Sequence, residues 1–305
     1  MLQLNNTTPN YDCQVSKILQ KTQIKKAMNT AVVDWLYSRN EYEKAVCVEH
    51  CAEHIGITNI NNIARIVKAD FCRQRICNVC AWRRQSKFIA QMFPVLEILG
   101  KKYEFLLATL TIKNVSLQNL RPAVNDILQG YDRLLKRRKI KNAWVGKVRA
   151  LEITYNQHTK EFHPHIHVFI AVDKSYFTDP SKYISQAELE QMWGESVRIG
   201  YDPICHIEKV TDTMHGAVET LKYTFKTTKD TTALEGYFYI LKNRRLVSFS
   251  GVFAETRKFL KQSDFENILT DDMPTDAPKK FLYTLYKFDA TGGVYNYYKQ
   301  LEISI

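Results

Sequence analysis

The chain has 305 residues, and 43 Lys and Arg against 32 Asp and Glu give it a formal net charge of +11. That length can bury a substantial core without disulfide bonds, and the positive charge favours nucleic acid as a partner, with an acidic membrane surface second. No apolar run approaches the ~20 residues that cross a bilayer, and the first residues lack the features of a signal peptide, so we expect a soluble intracellular protein.

Residues 1–95 are predicted to form an N-terminal helical, zinc-binding and DNA-binding region. The seven cysteines are an odd number, and a reducing compartment leaves cysteines available to metal. Cys72, Cys77 and Cys80 have a knuckle-like spacing, and a closed Zn²⁺ site needs four ligands. Simple burial of reduced cysteines is the alternative. Candidates for the fourth ligand lie upstream on a predicted helix: Cys47, His50, Cys51 and His54.

Basic side chains occur in two groups that we expect to contact DNA phosphates. The first group surrounds the cysteines and comprises Arg73, Arg75, Arg83, Arg84 and Lys87. The second comprises Lys136, Arg137, Arg138 and Lys139, with Lys141, Lys147 and Arg149. A solvated helix end is the alternative for the second group.

A regular pattern begins at Phe105. Residues 105–112 are predicted as a strand and residues 117–138 as an amphipathic helix. Two further strands, over 144–155 and 163–171, are separated by a short polar stretch, which predicts an antiparallel hairpin.

The second half of the pattern repeats the alternation. A helix over 185–193 starts at the capping residue Ser185, a strand covers 204–210, and a helix covers 214–227. The order β-α-β-β-α-β followed by a helix predicts an α+β, ferredoxin-like (RRM-like) fold with one antiparallel sheet, over residues 96–250. Residues 251–305 are predicted as a C-terminal extension of unknown role, with aromatic-rich candidate strands at 281–288 and 294–298.

His165 and His167 lie two residues apart in a predicted strand, so their side chains share one face. Glu152, in the preceding strand, lies roughly opposite them in the hairpin. Its carboxylate would complete a three-ligand site with open positions, which suits Mg²⁺ or Mn²⁺ polarising a phosphate oxygen. The alternative is a half-solvated strand face with ordinary histidines.

Glu219, Tyr223 and Lys226 share one face of the helix over 214–227. A tyrosine hydroxyl attacks a phosphodiester only when the phosphate is activated and positive charge favours the phenolate, which Lys222 and Lys226 could supply. Glu219 lies one turn before Tyr223 and could activate water. An ordinary solvated helix face is the alternative.

Three motifs in this order resemble those of rolling-circle plasmid replication initiators (Rep) of the pC194/pUB110 type, in the HUH endonuclease superfamily. They are Thr109-Leu110-Thr111, His163-Pro-His-Ile-His167 and Glu219-x-x-Lys-Tyr-x-x-Lys226. The resemblance covers about residues 50–260 and implies an HUH endonuclease core. It also implies a nick at the plasmid origin that joins Tyr223 to the 5′ phosphate and leaves a 3′ hydroxyl primer, with Glu219 taking over in termination.

The resemblance carries further expectations. It favours Cys51 as the fourth zinc ligand, and it makes Asn78 a departure, because Pro is usual there. Its implied setting is the bacterial cytoplasm, with origin DNA as substrate and a host helicase and single-strand binding protein as partners by analogy. Self-association into a homo-oligomer stays open. An HUH transposase or mobilisation relaxase is the nearest rival, and a non-catalytic zinc-dependent DNA-binding repressor is the rival from another class.

Overall fold

The computed structural model describes residues 11–60, 62–221, 228–262 and 280–304. These residues fall into two compact units, one formed by residues 11–83 with 280–304 and the other by residues 84–262. The first division lies earlier than the predicted boundary near residue 95. No change of composition marks it, because it falls inside a continuous helix.

Both units combine helices with strands. The helices are α1 (Tyr11–Ala27), α2 (Thr30–Ser38), α3 (Tyr42–Glu49), α4 (Asn78–Leu99), α5 (Leu117–Leu134), α6 (Arg138–Ala143), α7 (Gln186–Val197), α8 (Thr213–Thr220), α9 (Thr231–Leu241) and α10 (Val252–Gln262). The strands are β1 (His54–Ile60), β2 (Ile63–Ala69), β3 (Tyr103–Thr111), β4 (Gly146–Asn156), β5 (Glu161–Asp173), β6 (Cys205–Lys209), β7 (Val247–Gly251), β8 (Lys280–Asp289) and β9 (Val294–Ser304).

The first unit contains a four-stranded antiparallel sheet in the order β2-β1-β8-β9. Its two hairpins come from opposite parts of the chain and meet where β1 pairs with β8. The candidate strands at 281–288 and 294–298 are therefore confirmed as β8 and β9, in longer form. Their place beside β1 was not predicted.

The prediction that one helix carries Cys47, His50, Cys51 and His54 is wrong after Glu49, the last residue of α3. The helix ends at Glu49, and the chain turns through Ala52, whose φ of 56° interrupts helical geometry. His54 then opens β1, where Ile55 and Ile57 alternate with smaller or polar residues and are fully buried.

The second unit contains a five-stranded antiparallel sheet in the order β6-β3-β5-β4-β7. Strand β5 lies between β3 and β4, the two strands that α5 and α6 connect, which is a split β-α-β arrangement. The predicted α+β class with antiparallel pairing is confirmed, as is the hairpin of β4 and β5. Strand β7 and helix α10 extend the unit beyond what the sequence predicted.

Helices α5 and α7 pack against each other, and both were predicted. The buried side chains of α5 follow the spacing of one helical face, from Leu120 through Val124, Ile127 and Tyr131 to Leu134. Helix α7 begins at Ser185 with a complete capping box, in which Ser185 and Glu188 exchange hydrogen bonds. The predicted helix over 214–227 is described as α8 to Thr220, and its remainder after Leu221 lies outside the described residues. Within the described ranges, we find no helix long and apolar enough to cross a bilayer.

Candidate functional site

The structure brings Glu152, His165 and His167 together on one face of the second unit's sheet. In the hairpin, Glu152 pairs directly with His165. The carboxylate Oε2 of Glu152 lies 3.1 Å from Nε2 of His165 and 2.9 Å from Nε2 of His167. All three side chains are largely buried, with 10 to 14% of their surface exposed. The candidate ligand atoms therefore meet in a confined place.

Neighbouring groups orient both imidazoles. The Nδ1–H of His165 donates to the backbone carbonyl of His163 at 3.1 Å, and Nδ1 of His167 lies 3.2 Å from Oγ1 of Thr109. A neutral imidazole whose Nδ1 carries the proton has a lone pair on Nε2. For His165, that lone pair would face the Glu152 carboxylate, so the arrangement requires a proton or a cation shared among the three groups.

Glu152 is ionised at neutral pH. Burial raises the pKa of its carboxyl group, but hydrogen bonds from His165 and His167 and their positive charge outweigh burial and lower the pKa to about 2 from 4.5. The carboxylate is therefore available as a ligand without first losing a proton.

A cavity of about 360 Å³ adjoins His167, and Glu219 lines it. Helix α8 packs closely on the sheet because residue 216 is glycine: a Cβ there would lie 2.8 Å from Cγ1 of Val210 and 3.1 Å from the ring of Phe169. The buried face of α8 leaves Glu219 and His215 on the cavity side. His215 was not predicted as a site residue, although it lies one helical turn before Glu219 and that spacing was a usable signal.

The other predicted catalytic residues, Tyr223, Lys222 and Lys226, lie outside the described residues. Their predicted roles stay predictions. Leu221, the C-terminal capping residue of α8, is the last described residue before residues 222–227 and lies two positions before Tyr223.

Four cysteines converge in the first unit: Cys51, Cys72, Cys77 and Cys80, whose sulfurs all lie within 4.8 Å of one another. Sγ of Cys80 lies 3.6 Å from Sγ of both Cys51 and Cys72. A tetrahedral Zn²⁺ with Zn–S bonds of about 2.3 Å holds its sulfurs about 3.8 Å apart, so the spacing fits that ion. Of the upstream candidates, Cys51 joins the cluster, whereas Cys47 is exposed.

Two asparagines hold the turn at Cys77. The buried side chain of Asn29 accepts hydrogen bonds from the backbone N–H of Asn78 at 2.8 Å and from its Nδ2 at 3.1 Å. The Nδ2 of Asn29 also donates to Sγ of Cys77 at 3.3 Å. Asn78 replaces the usual proline, yet these bonds fix the turn by another means. Hydrogen bonds from the neighbouring thiols, Cys51 foremost, lower the pKa of Cys77.

Further contacts fix the loop that carries Cys51. Lys26 Nζ donates to the carbonyl of Cys51 at 3.0 Å and to that of Glu49 at 2.7 Å. The hydroxyl of Tyr295, in β9, donates to the carbonyl of Ala52. The cysteine loop is thus tied both to α1 and to the C-terminal hairpin.

The predicted DNA-binding residues near the cysteines differ in environment. Arg73 and Arg75 are exposed, and the backbone N–H of Arg73 donates to Sγ of Cys80 at 3.2 Å. Arg83 and Arg84 are half-buried, and the guanidinium of Arg83 lies 4.3 Å from the ring centroid of Phe71.

The second basic group serves partly to hold the fold. Lys136 and Arg138 are exposed, whereas Arg137 pairs with Glu195 of α7 at 2.6 Å. The expectation that Arg149 contacts phosphate is wrong: its side chain is buried and donates to Oγ of Ser248 and to a backbone carbonyl. The four consecutive residues 148–151 of β4 are all buried, so both faces of the strand are covered there, which the charge of Arg149 alone did not indicate.

Comparisons with known proteins identify the family. The chain matches the family model described as "Replication protein" over residues 63–296. It is 35% identical over 233 residues to Protein rep of Streptococcus pneumoniae serotype 2, covering 72% of this chain and 73% of the relative. It is 30% identical over 262 residues to Protein rep of Lentilactobacillus hilgardii, covering 79% and 83%. No solved structure matches. The chain belongs to the replication protein (Rep) family, which confirms the resemblance to plasmid Rep initiators.

Proposed function

We propose that the chain initiates rolling-circle replication of a plasmid by nicking and rejoining single-stranded origin DNA through Tyr223. The observation that carries this proposal is the convergence of Glu152 Oε2 on the Nε2 atoms of His165 and His167, at 3.1 and 2.9 Å. Membership of the Rep family supports it, and so does the cavity that His167 and Glu219 both line.

Glu152, His165 and His167 would hold a divalent cation, Mg²⁺ or Mn²⁺. When bound, the cation would polarise a phosphate oxygen of the scissile phosphodiester. Of the two, Mn²⁺ fits better, because two of the three ligand atoms are imidazole nitrogens and Mg²⁺ prefers an all-oxygen set. Three protein ligands leave positions open for the phosphate.

In the proposed reaction, the phenolic oxygen of Tyr223 forms a bond to phosphorus while the bond from phosphorus to the 3′ oxygen breaks. The phenol loses its proton and the departing 3′ oxygen gains one, so a 5′-phosphotyrosine and a free 3′ hydroxyl result. Lys222 and Lys226 would favour the phenolate. In termination, Glu219 would accept a proton from a water that attacks phosphorus, so that the second cleavage leaves no covalent link.

The second unit is proposed to be the HUH endonuclease domain. Its split β-α-β sheet carries the two histidines on β5, between β3 and β4. Thr109 and Thr111 pair with His167 and His165 from β3, and we assign them a supporting role without direct chemistry.

The first unit is proposed to hold a structural Zn²⁺ through Cys51, Cys72, Cys77 and Cys80. A closed four-thiolate site stabilises a small fold outright. It would present the exposed Arg73 and Arg75 to DNA phosphates on a stiffened turn.

The test is covalent capture of origin DNA. The full chain, incubated with a library of hairpin-bearing single strands and Mn²⁺, should give a protein–DNA adduct that survives denaturation. Tyr223→Phe should abolish the adduct, whereas Tyr239→Phe, at an exposed tyrosine of α9, should form it normally. An adduct that persists in Tyr223→Phe would show that the nucleophile lies elsewhere, and no adduct with any strand or metal would favour a DNA-binding repressor.

The separate role of Glu219 has its own test. Glu219→Ala should nick the origin strand at the parental rate but should accumulate covalent product at termination. Equal loss of nicking and termination would contradict a role confined to the second cleavage.

A further inference from the structure

One residue of the C-terminal hairpin, Tyr298, has no partner in the strand register, and its ring is exposed. The register of β8 and β9 shifts so that Leu285 pairs with Lys299 and Tyr286 pairs with Tyr297, which leaves Tyr298 unpaired. Such a bulge bends a strand and re-aims the extra side chain. Half of the surface of Tyr298 is exposed.

Cations surround this ring. Nζ of Lys299 lies 5.2 Å from the ring centroid and Nζ of Lys287 lies 5.9 Å from it. The imidazole of His54 meets the ring edge-on, with centroids 5.9 Å apart. Residues that pair directly across neighbouring strands point to the same face of a sheet. Lys68 pairs with Gly56, Gly56 pairs with Leu285, and Leu285 pairs with Lys299, so Lys68 lies on the same face as Lys299. We call His54, Lys68, Lys287, Tyr298 and Lys299 the Tyr298 patch.

The acidic neighbours do not cancel the charge of the patch. Asp70 pairs with Nδ1 of His54 at 2.8 Å, and Glu53 pairs with Nδ1 of His50 at 2.8 Å. Lys68, Lys287 and Lys299 are all exposed. Of these two carboxylates, each has a histidine partner and Glu53 also interacts electrostatically with Lys287. Lys287 and Lys299 lie at the ring, and Lys68 adds a third exposed lysine on the same face of the sheet, three strands away on β2.

We propose that the Tyr298 patch binds single-stranded DNA without sequence preference. Every base has a π-face that can stack on the tyrosine, and the lysines lie where the adjoining phosphates would pass. An acidic protein would match the charge but would gain nothing from the exposed ring at the centre of the patch. The proposal goes beyond the nicking reaction, since the patch lies in the unit that holds the cysteines and needs neither Tyr223 nor an origin sequence.

The experiment measures binding of the full chain to fluorescein-labelled oligothymidine by fluorescence anisotropy at several salt concentrations. Tyr298→Ala should weaken binding by a factor of about 5 to 140 without changing the salt dependence, which is the range that one stacked base represents. The double variant Lys287→Gln with Lys299→Gln should reduce the slope of log affinity against log salt by about 1.4, since each single-strand phosphate contributes about 0.7. Tyr298→Trp should bind at least as tightly as the parent.

Matched controls use exposed residues of the same unit. Tyr297→Ala removes a tyrosine that pairs with Tyr286 on the opposite face, and Lys17→Gln with Lys21→Gln removes two exposed lysines of α1. Both should bind within about twofold of the parent. Tyr298→Leu keeps an apolar side chain beyond Cβ but has no π-face, so it should weaken binding as the alanine variant does even if alanine disturbs folding.

Three results would overturn the proposal. The first is parental affinity for oligothymidine in both Tyr298→Ala and Tyr298→Leu, and the second is a loss of affinity in Tyr297→Ala equal to that in Tyr298→Ala. The third is that Tyr298→Ala changes the oligomeric state of the protein on sedimentation while its DNA affinity is unchanged. The last would identify the patch as a protein-docking surface. Tyr298→Ala and Tyr298→Leu retain Tyr223 and should still form the covalent adduct with origin DNA, so failure of the nicking proposal and failure of this one are distinguishable.

Discussion

Replacing Asn29 tests the cysteine cluster directly, because this one buried side chain accepts hydrogen bonds from Asn78 in the turn and donates one to Sγ of Cys77. Asn29→Ala leaves the buried N–H of Asn78 without its acceptor and removes the donor to Sγ of Cys77. An unsatisfied buried donor costs about 1–3 kcal/mol and the lost sulfur bond about 1 kcal/mol, so the first unit should lose about 2–4 kcal/mol of stability. Groups that hydrogen-bond a metal ligand typically change metal affinity ten- to a hundredfold, so we expect zinc affinity to fall by about that factor.

The assay is competition for Zn²⁺ with a chromophoric chelator, with Co²⁺ spectra to report that four thiolates still bind. Asn29→Asp should bind zinc no better than Asn29→Ala, because its carboxylate keeps the acceptor but faces the Cys77 thiolate at short range. Asn78→Ala is the matched control: it retains the backbone N–H and the donor to Cys77, so its affinity should stay within about threefold of the parent. If Asn29→Ala binds Zn²⁺ with the parental affinity and keeps the Co²⁺ spectrum of four thiolates, the hydrogen bond from Asn29 to Sγ of Cys77 has no role in metal binding.

Three further predictions concern buried groups. Gly216→Ala should destabilise the second unit by about 1–3 kcal/mol and slow nicking, because its new Cβ would meet the side chains of Val210 and Phe169; parental stability on thermal unfolding would contradict the close approach. Burial raises the pKa of Cys205 to about 12, so alkylation at about pH 8 followed by mass spectrometry should modify exposed Cys13 and Cys47 well before it. In the metal-free protein, stabilisation by the Glu152 carboxylate is complete above pH 4.5 and declines as pH falls toward 2. Glu152→Gln should therefore make the free energy of unfolding less dependent on pH between 4.5 and 2. An unchanged pH dependence in that range would contradict the contribution of the carboxylate.

Local patterns were sufficient for the geometry around the histidines. A strand with a period of two, a short polar turn and a second strand predict both the hairpin and the position of Glu152 across from His165, which the pairing of β4 and β5 reproduces. The start of α7 was equally local, because Ser185 and Glu188 satisfy the first turn between themselves.

Features that depend on distant partners were not predictable in the same way. The pairing of β1 with β8 joins segments at opposite ends of the chain, and neither segment carries a local sign of the other. The burial of Arg149 depends on a carbonyl and a hydroxyl supplied by residues near β7. The choice of Cys51 as the fourth cysteine of the cluster came from the family resemblance, since the predicted helix would have offered four equivalent candidates.

The first sheet is complete only when β8 pairs with β1, and this has a consequence for folding during synthesis. The cysteines and β1 are synthesised early, whereas β8, and the Tyr295 hydroxyl that secures the cysteine loop, arrive after the whole second unit. Domains generally fold as units during synthesis, so the nascent chain carries a finished second sheet while the edge of β1 is still unpaired. A product that stops short of residue 280 would retain the three candidate ligands of the second unit and all four cysteines, yet would expose that edge to association with other chains.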